Sequence, residues 1–226
     1  AKYIATSIME INLDAKVYDT PMICVIEVMG RNAGWLTAAA QLANAKGLGA
    51  DLIYLPEVPF DVNKFVADVK DVMAKNNNKC IAVVSEGIKT ADGVLVCEAL
   101  GGAGARDSFG HAQLGGVAAT LSNIVKAETG SKVRAIELSL MQRCAAHCAS
   151  ATDVEETFEA GKQAVRAAVS GETDKMVCYA RKEGAKYECE YKLLPLELAA
   201  NTEKTVPMEW IINNGTGISN DFVDYA

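Results

Sequence analysis

MICVIEVMGRNAGWLTAAAQLANAK, residues 22–46, is the stretch whose reading decides the fold. Residues 22–29 are apolar and rich in valine and isoleucine, broken only by Glu27. A strand facing water on one side would alternate; a near-continuous run marks a strand of a parallel sheet, buried on both faces. Residues 35–46 are alanine-rich helix formers, closed by Gly47 and Gly49 as C-cap signals. Between strand and helix sit Gly30, Arg31 and Gly34. This is one strand–turn–helix unit, and open α/β sheets bind ligands outside the carboxyl ends of their strands. From these residues alone Arg31 reads either as an exposed loop arginine or as a bidentate donor to an anion.

The same texture recurs outward from this unit. Runs at 52–55, 80–85 and 132–138 read as further strands. Residues 61–75 place Val62, Phe65, Val66, Val69 and Met73 on one helical face, with Asp61 as N-cap. Further helices are expected over about 107–128 and over 153–169, the latter starting after Thr152 or Asp153 with a capping box through Glu156. The opening AKYIATSIMEI has helical spacing in Ile4, Ile8, Met9 and Ile11 but no N-cap. From 175 onward a hairpin turning at Glu183–Gly184–Ala185 is expected, then turns and short helices. Strands alternating with helices predict a three-layer α/β/α sandwich around a mainly parallel sheet.

The chain has 226 residues, half of them apolar, and a formal net charge of −7. That balance disfavours nucleic acid and anionic membrane surfaces as partners, since both call for basic patches. No run approaches the roughly 18 apolar residues of a spanning helix. Seven cysteines, none in a CxxC pair, lie mostly in core-like segments. They read as reduced thiols of a cytoplasmic protein. Cys144, His147 and Cys148 are three potential zinc ligands, but a fourth is lacking and His111 is the only other histidine; packing is the expected role.

Two more segments fall at strand exits. VVSEGI ends the 80–85 strand in Ser85-Glu86-Gly87, placing a carboxylate at the edge that bears Arg31. Glu86 there could accept from sugar hydroxyls, act as a base, or simply be solvated. KVRAIELSLMQRC places Arg143 just past the last strand and Arg134 early within it. Arg134 reads as structural on pattern alone. The Gly102-x-Gly104 fragment lacks the third glycine of a dinucleotide fingerprint and reads as a helix-entry turn.

VIEVMGRNAGWLTAAAQLA, VVSEGI and KVRAIELSLMQR together resemble, in order and spacing, three signature segments of the 6-phosphofructokinases. DSFGHAQLGG and NTEKTVPMEWI are similar to the bacterial pyrophosphate-dependent branch. The resemblance implies that Met29, Gly30 and Arg31 hold fructose 6-phosphate near its reacting 1-hydroxyl, with Arg31 also neutralising the transferred phosphoryl group. It implies that Glu86 binds sugar hydroxyls, that Arg143 binds the 6-phosphate, and that Arg134 reaches that phosphate from an adjacent subunit of a dimer or tetramer. Mg²⁺ is the implied cofactor, and pyrophosphate or ATP the phosphoryl donor. There are three departures from the ATP-dependent pattern: Met22 replaces an arginine, Leu140 a histidine, and CAAH at 144–147 the usual GGSP.

In this family the donor loop, the catalytic aspartate and the magnesium ligands precede the segment that AKYIATSIMEI resembles. The expectation is a C-terminal, fructose 6-phosphate-binding part over 1–226, with the donor-binding half outside this chain and little catalysis alone. The rival readings are a non-catalytic sugar-phosphate-binding or regulatory module and, more remotely, a dinucleotide-binding oxidoreductase domain.

Overall fold

A computed structural model describes residues 1–100 and 116–226. These form two compact units, Ala1–Ala145 with Thr205–Ala226, and Ala146–Lys204.

In the first unit, α1 (Lys2–Val17) leads to β1 (Met22–Val28). A helix follows that is α over Trp35–Ala38 (α2) and 3₁₀ over Ala39–Lys46. Then come β2 (Leu52–Tyr54), α3 (Val62–Lys75), β3 (Lys79–Ser85) and α4 (Val96–Ala99). Next are α5 (Val117–Thr129), β4 (Lys132–Glu137) and α6 (Met141–Cys144). The four strands form one parallel sheet in the order β2-β3-β1-β4.

β1 occupies an inner position, and all seven of its residues are buried. Its side chains still alternate. Met22, Cys24, Ile26 and Val28 enter a core with Ile4 and Ile8 of α1 and Ala38, Ala39, Ala40 and Ala43 of the following helix. Ile23 and Val25 enter a second core with Phe65 and Val69 of α3 and Leu121 and Val125 of α5. Two apolar layers, one on each face of the sheet, make the expected three-layer α/β/α arrangement.

Asp61 caps α3 as expected, its carboxylate accepting from the Lys64 N–H at 2.8 Å. Phe65 and Val69 are fully buried, and Val62, Val66 and Met73 pack around them. Gly47 is the C-cap at φ +67°, while Gly49 instead gives its carbonyl to Asn12 Nδ2 at 2.8 Å. The helix before it departs from expectation by tightening to 3₁₀. Such winding eclipses side chains three apart, which alanines such as Ala40 and Ala43 tolerate. β4 is also corrected: it is an edge strand, half-buried, and Lys132 and Arg134 on it blunt the open edge. The stretch 101–115, with Gly102, Gly104, His111 and the start of the 107–128 helix, lies outside the described residues.

In the second unit α7 spans Ala151–Val169. Its N-cap is Ser150, whose hydroxyl accepts from the Asp153 N–H at 3.3 Å, and not Thr152 or Asp153. Glu156, expected to close a capping box, accepts from the Tyr187 hydroxyl at 3.0 Å. β5 (Lys175–Arg181) and β6 (Cys189–Pro195) form the expected hairpin, with Gly184 at φ +154° in its loop, followed by α8 (Leu196–Ala199).

The chain then returns to the first unit with a two-residue ladder, β7 (Ile211–Ile212) and β8 (Gly217–Ile218), and α9 (Asn220–Tyr225). Trp210, Phe222 and Tyr225 surround Trp35, with ring centroids 5.3–6.4 Å away. They fix the start of α2. All seven cysteines are free thiols, and Cys24, Cys80 and Cys97 are buried. Among the described residues no helix is long and apolar enough to cross a membrane.

Candidate functional site

The exits of all four parallel strands converge on one turn. β1 leaves the sheet at Val28, and Met29, Gly30 and Arg31 lead to Gly34, the N-cap of α2. The Met29 N–H donates to Gln142 Oε1 at 3.2 Å, beyond β4. The Gly30 N–H donates to Glu86 Oε1 at 3.1 Å, beyond β3. The Gly34 N–H donates to Glu57 Oε1 at 2.8 Å, beyond β2. Parallel register explains the convergence: Val28 pairs with Ser85, and Glu27 with Glu137, so neighbouring strands end level.

The turn is also held through a carbonyl. Gly30 O accepts from the Gly87 N–H at 3.1 Å and from the Ser85 hydroxyl. Gly30 stands at φ +152°, where a side chain is strained. Gly87 is under a different constraint, since a Cβ there would lie 2.0 Å from the Arg31 carbonyl oxygen. Glycine at both positions lets two strand exits meet backbone to backbone.

Arg31 and Glu86 are half-buried on this edge. Arg143, on α6, is exposed and adjoins Gln142, whose side chain reaches the turn. Gln142 is steadied in turn, its Nε2 donating to the Ser139 carbonyl at 2.9 Å. Ser139 adopts φ +42°, a conformation uncommon outside glycine and asparagine that clusters at ligand sites. The fold therefore brings Met29, Gly30, Arg31, Glu86 and the segment bearing Arg143 together.

Arg134 stands apart from them. It pairs with Cys24, four residues before the end of β1, or about 13 Å back from the edge at about 3.3 Å per residue. Its Nη2 donates to the Tyr18 hydroxyl at 2.7 Å, and its Nε lies 4.0 Å from Asp14 Oδ2. Met22, where the family pattern has an arginine, is fully buried in the core. Leu140, at the family's histidine position, is mostly exposed.

Beneath the turn lies Glu27, only 5% exposed. Its place on β1 points it to the α5 face, where Oε2 accepts from the Ala118 N–H at 2.9 Å. Burial pushes its carboxyl up to about 7; the backbone hydrogen bonds from Ala118 and Val117 oppose this, and Glu137 and Glu86 reinforce it. A proton near neutrality is thus held two residues before Met29.

Several contributors were not evident in sequence. Ser85 and Gly87 flank Glu86, and Gln142 adjoins Arg143, but their roles rest on contacts across the sheet. Glu57 carried a usable signal, because it follows β2 as Glu86 follows β3.

The phosphofructokinase family model matches residues 1–168. The pyrophosphate–fructose 6-phosphate 1-phosphotransferase of Methylococcus capsulatus is 40% identical over 222 residues, 97% of this chain and 52% of that protein. The Xanthomonas campestris protein of the same name is 43% identical over 225 residues, again 97% of this chain and 52% of that protein. The crystal structure of the pyrophosphate-dependent phosphofructokinase from Marinobacter aquaeolei aligns with a TM-score of 0.80 at 35% identity, over 99% of this chain and 52% of that one. The chain spans about half the length of the relatives it matches.

Proposed function

The chain belongs to the phosphofructokinase family, and from that premise we propose that it forms the fructose 6-phosphate-binding part of a 6-phosphofructokinase. The whole enzyme transfers a phosphoryl group to the 1-hydroxyl of the sugar. Pyrophosphate is the donor we favour over ATP, because relatives named for pyrophosphate align along nearly the whole chain. The single observation that carries the reading is the meeting of Arg31, Glu86 and the Arg143 segment at one sheet edge, an arrangement suited to a ligand with anionic and hydroxylated parts.

In this reading Arg143 binds the 6-phosphate, and Arg134 reaches it from an adjacent subunit of a dimer or tetramer. Glu86 accepts from sugar hydroxyls, and Met29 and Gly30 line the sugar near the 1-hydroxyl. That oxygen attacks the terminal phosphorus of pyrophosphate, the bridging P–O bond breaks, and inorganic phosphate leaves. Arg31 offsets negative charge on the phosphoryl group in transit, where electrostatic positioning supplies most of the catalysis. The proton of the 1-hydroxyl passes to a base that we assign, with the donor loop, to polypeptide beyond these 226 residues.

Mg²⁺ would supply charge neutralisation on the donor phosphates. Among the described residues no three His, Cys, Asp or Glu side chains cluster to hold a metal ion. Mg²⁺ is ordinarily held by one or two carboxylates together with substrate phosphates, and we assign those carboxylates to the same outside polypeptide as the donor loop.

Calorimetric titration of the purified chain with fructose 6-phosphate, fructose and NAD tests the ligand class. Saturable binding of the phosphorylated sugar, weak binding of fructose and none of NAD are expected. Saturable NAD binding without fructose 6-phosphate binding would overturn the reading.

A further inference from the structure

The turn that carries Arg31 is gripped at both ends, by the exits of β3 and β4 at its start and by the exit of β2 at its end. At its start Gln142, Glu86, Ser85 and Gly87 hold Met29 and Gly30. At its end one carboxylate oxygen takes two backbone donors: Glu57 Oε1 accepts from the Gly34 N–H at 2.8 Å and from the Val206 N–H at 2.9 Å. Val206 is 1% exposed and belongs to the segment that returns to the first unit. Gly34 has no room for a side chain here, since a Cβ would lie 2.8 Å from both Glu57 Oε2 and Leu55 Cδ2. Oε2 is itself buried and has no hydrogen-bond partner among the described residues. The carboxylate is thus wedged over Gly34, and one oxygen ties turn, β2 exit and returning segment together.

We propose that Glu57 is a positioning residue for the Arg31 turn, setting the guanidinium where a phosphorylated ligand meets it. The proposal rests on the reading of Arg31 as an anion-binding residue. Glu57 does not touch the ligand; it acts through the backbone of residues 30–34. An N–H to carboxylate bond is stronger than one to a neutral acceptor, and here one carboxylate oxygen serves two donors. Removing it loosens the turn between Arg31 and Gly34 while the aromatic packing on Trp35 still holds the start of α2, so Arg31 samples orientations that do not meet the ligand. A side chain that only supports the fold would lower stability without a specific link to Arg31.

A double-mutant cycle on the full 226-residue chain, read by calorimetric titration with fructose 6-phosphate, separates these cases. Glu57→Ala is expected to weaken binding about tenfold, in the range of one lost charge-assisted hydrogen bond. Glu57→Gln, which keeps an acceptor oxygen, restores most of that affinity. In an Arg31→Ala background, Glu57→Ala should add almost nothing, because coupled residues are non-additive. If Glu57→Ala fails to fold, Glu57→Asp withdraws the carboxylate by one methylene and should show the same dependence on Arg31. Full additivity of the two substitutions, or wild-type affinity in folded Glu57→Ala, overturns the proposal while leaving the function reading intact. Unchanged affinity in Arg31→Ala alone overturns the function reading first.

Discussion

Glu27 couples the stability of the fold to pH. It is 5% exposed on an inner strand, and burial lifts its carboxyl from an ordinary 4.5 to about 7. The folded protein therefore holds this proton more tightly than the unfolded chain does. The stability it contributes is fully present below pH ~4.5 and is lost as pH rises through about 7. At about 1.4 kcal/mol per pH unit the displacement amounts to about 3 kcal/mol. Glu27→Gln removes the titration while retaining an oxygen that can accept from the Ala118 N–H. Urea unfolding of both proteins from pH 5 to pH 8.5 is the assay. Near pH 5 their stabilities should be similar, and by pH 8 the variant should gain up to about 3 kcal/mol relative to wild type. Asp51, whose carboxyl burial also raises, contributes equally to both curves and drops out of the difference. Parallel curves across the range would refute the claim that Glu27 is protonated by burial.

Two local perturbations probe the scaffold. Gly87→Ala places a Cβ 2.0 Å from the Arg31 carbonyl oxygen; a loss of about 1–3 kcal/mol in urea unfolding and weaker fructose 6-phosphate binding by calorimetry are expected. Asp61→Ala deletes the carboxylate that accepts from the Lys64 N–H; thermal or urea unfolding should show a loss of about 1 kcal/mol with ligand affinity unchanged.

The inner strands were legible because a strand buried on both faces has no polar alternation, and MICVIEVM and CIAVVS have little else to become. α3 was legible because Asp61, Phe65 and Val69 combine a cap with a helical stripe. β4 was harder: its run of residues is similar, but an edge place in the sheet is decided by strand order, which no local pattern encodes. The 3₁₀ stretch after Ala38 shares a core with α1, and alanine content alone does not distinguish it from α-helix. Ser150 supplanted Thr152 and Asp153 as the cap because all three are competent cap residues within one turn. At the site, Arg31 and Glu86 were visible as polar residues at strand exits. Gln142 and Glu57 act over separations of 113 and 23 residues, through contacts that exist only once parallel strands end level. Arg134 shows the limit of pattern reading in the other direction: its Tyr18 and Asp14 contacts give it a structural setting, and its ligand role is a proposal that no local pattern suggests.

In the proposed site the turn after β1 presents Arg31 to a phosphorylated sugar. The most direct test of this contact is the affinity of the chain for fructose 6-phosphate, measured by titration calorimetry in wild type and in Arg31→Ala at matched pH and salt. A lost charged contact of about 1.5–3 kcal/mol predicts weakening of at least about tenfold. Equal affinity in the two proteins, with the variant folded, would contradict it.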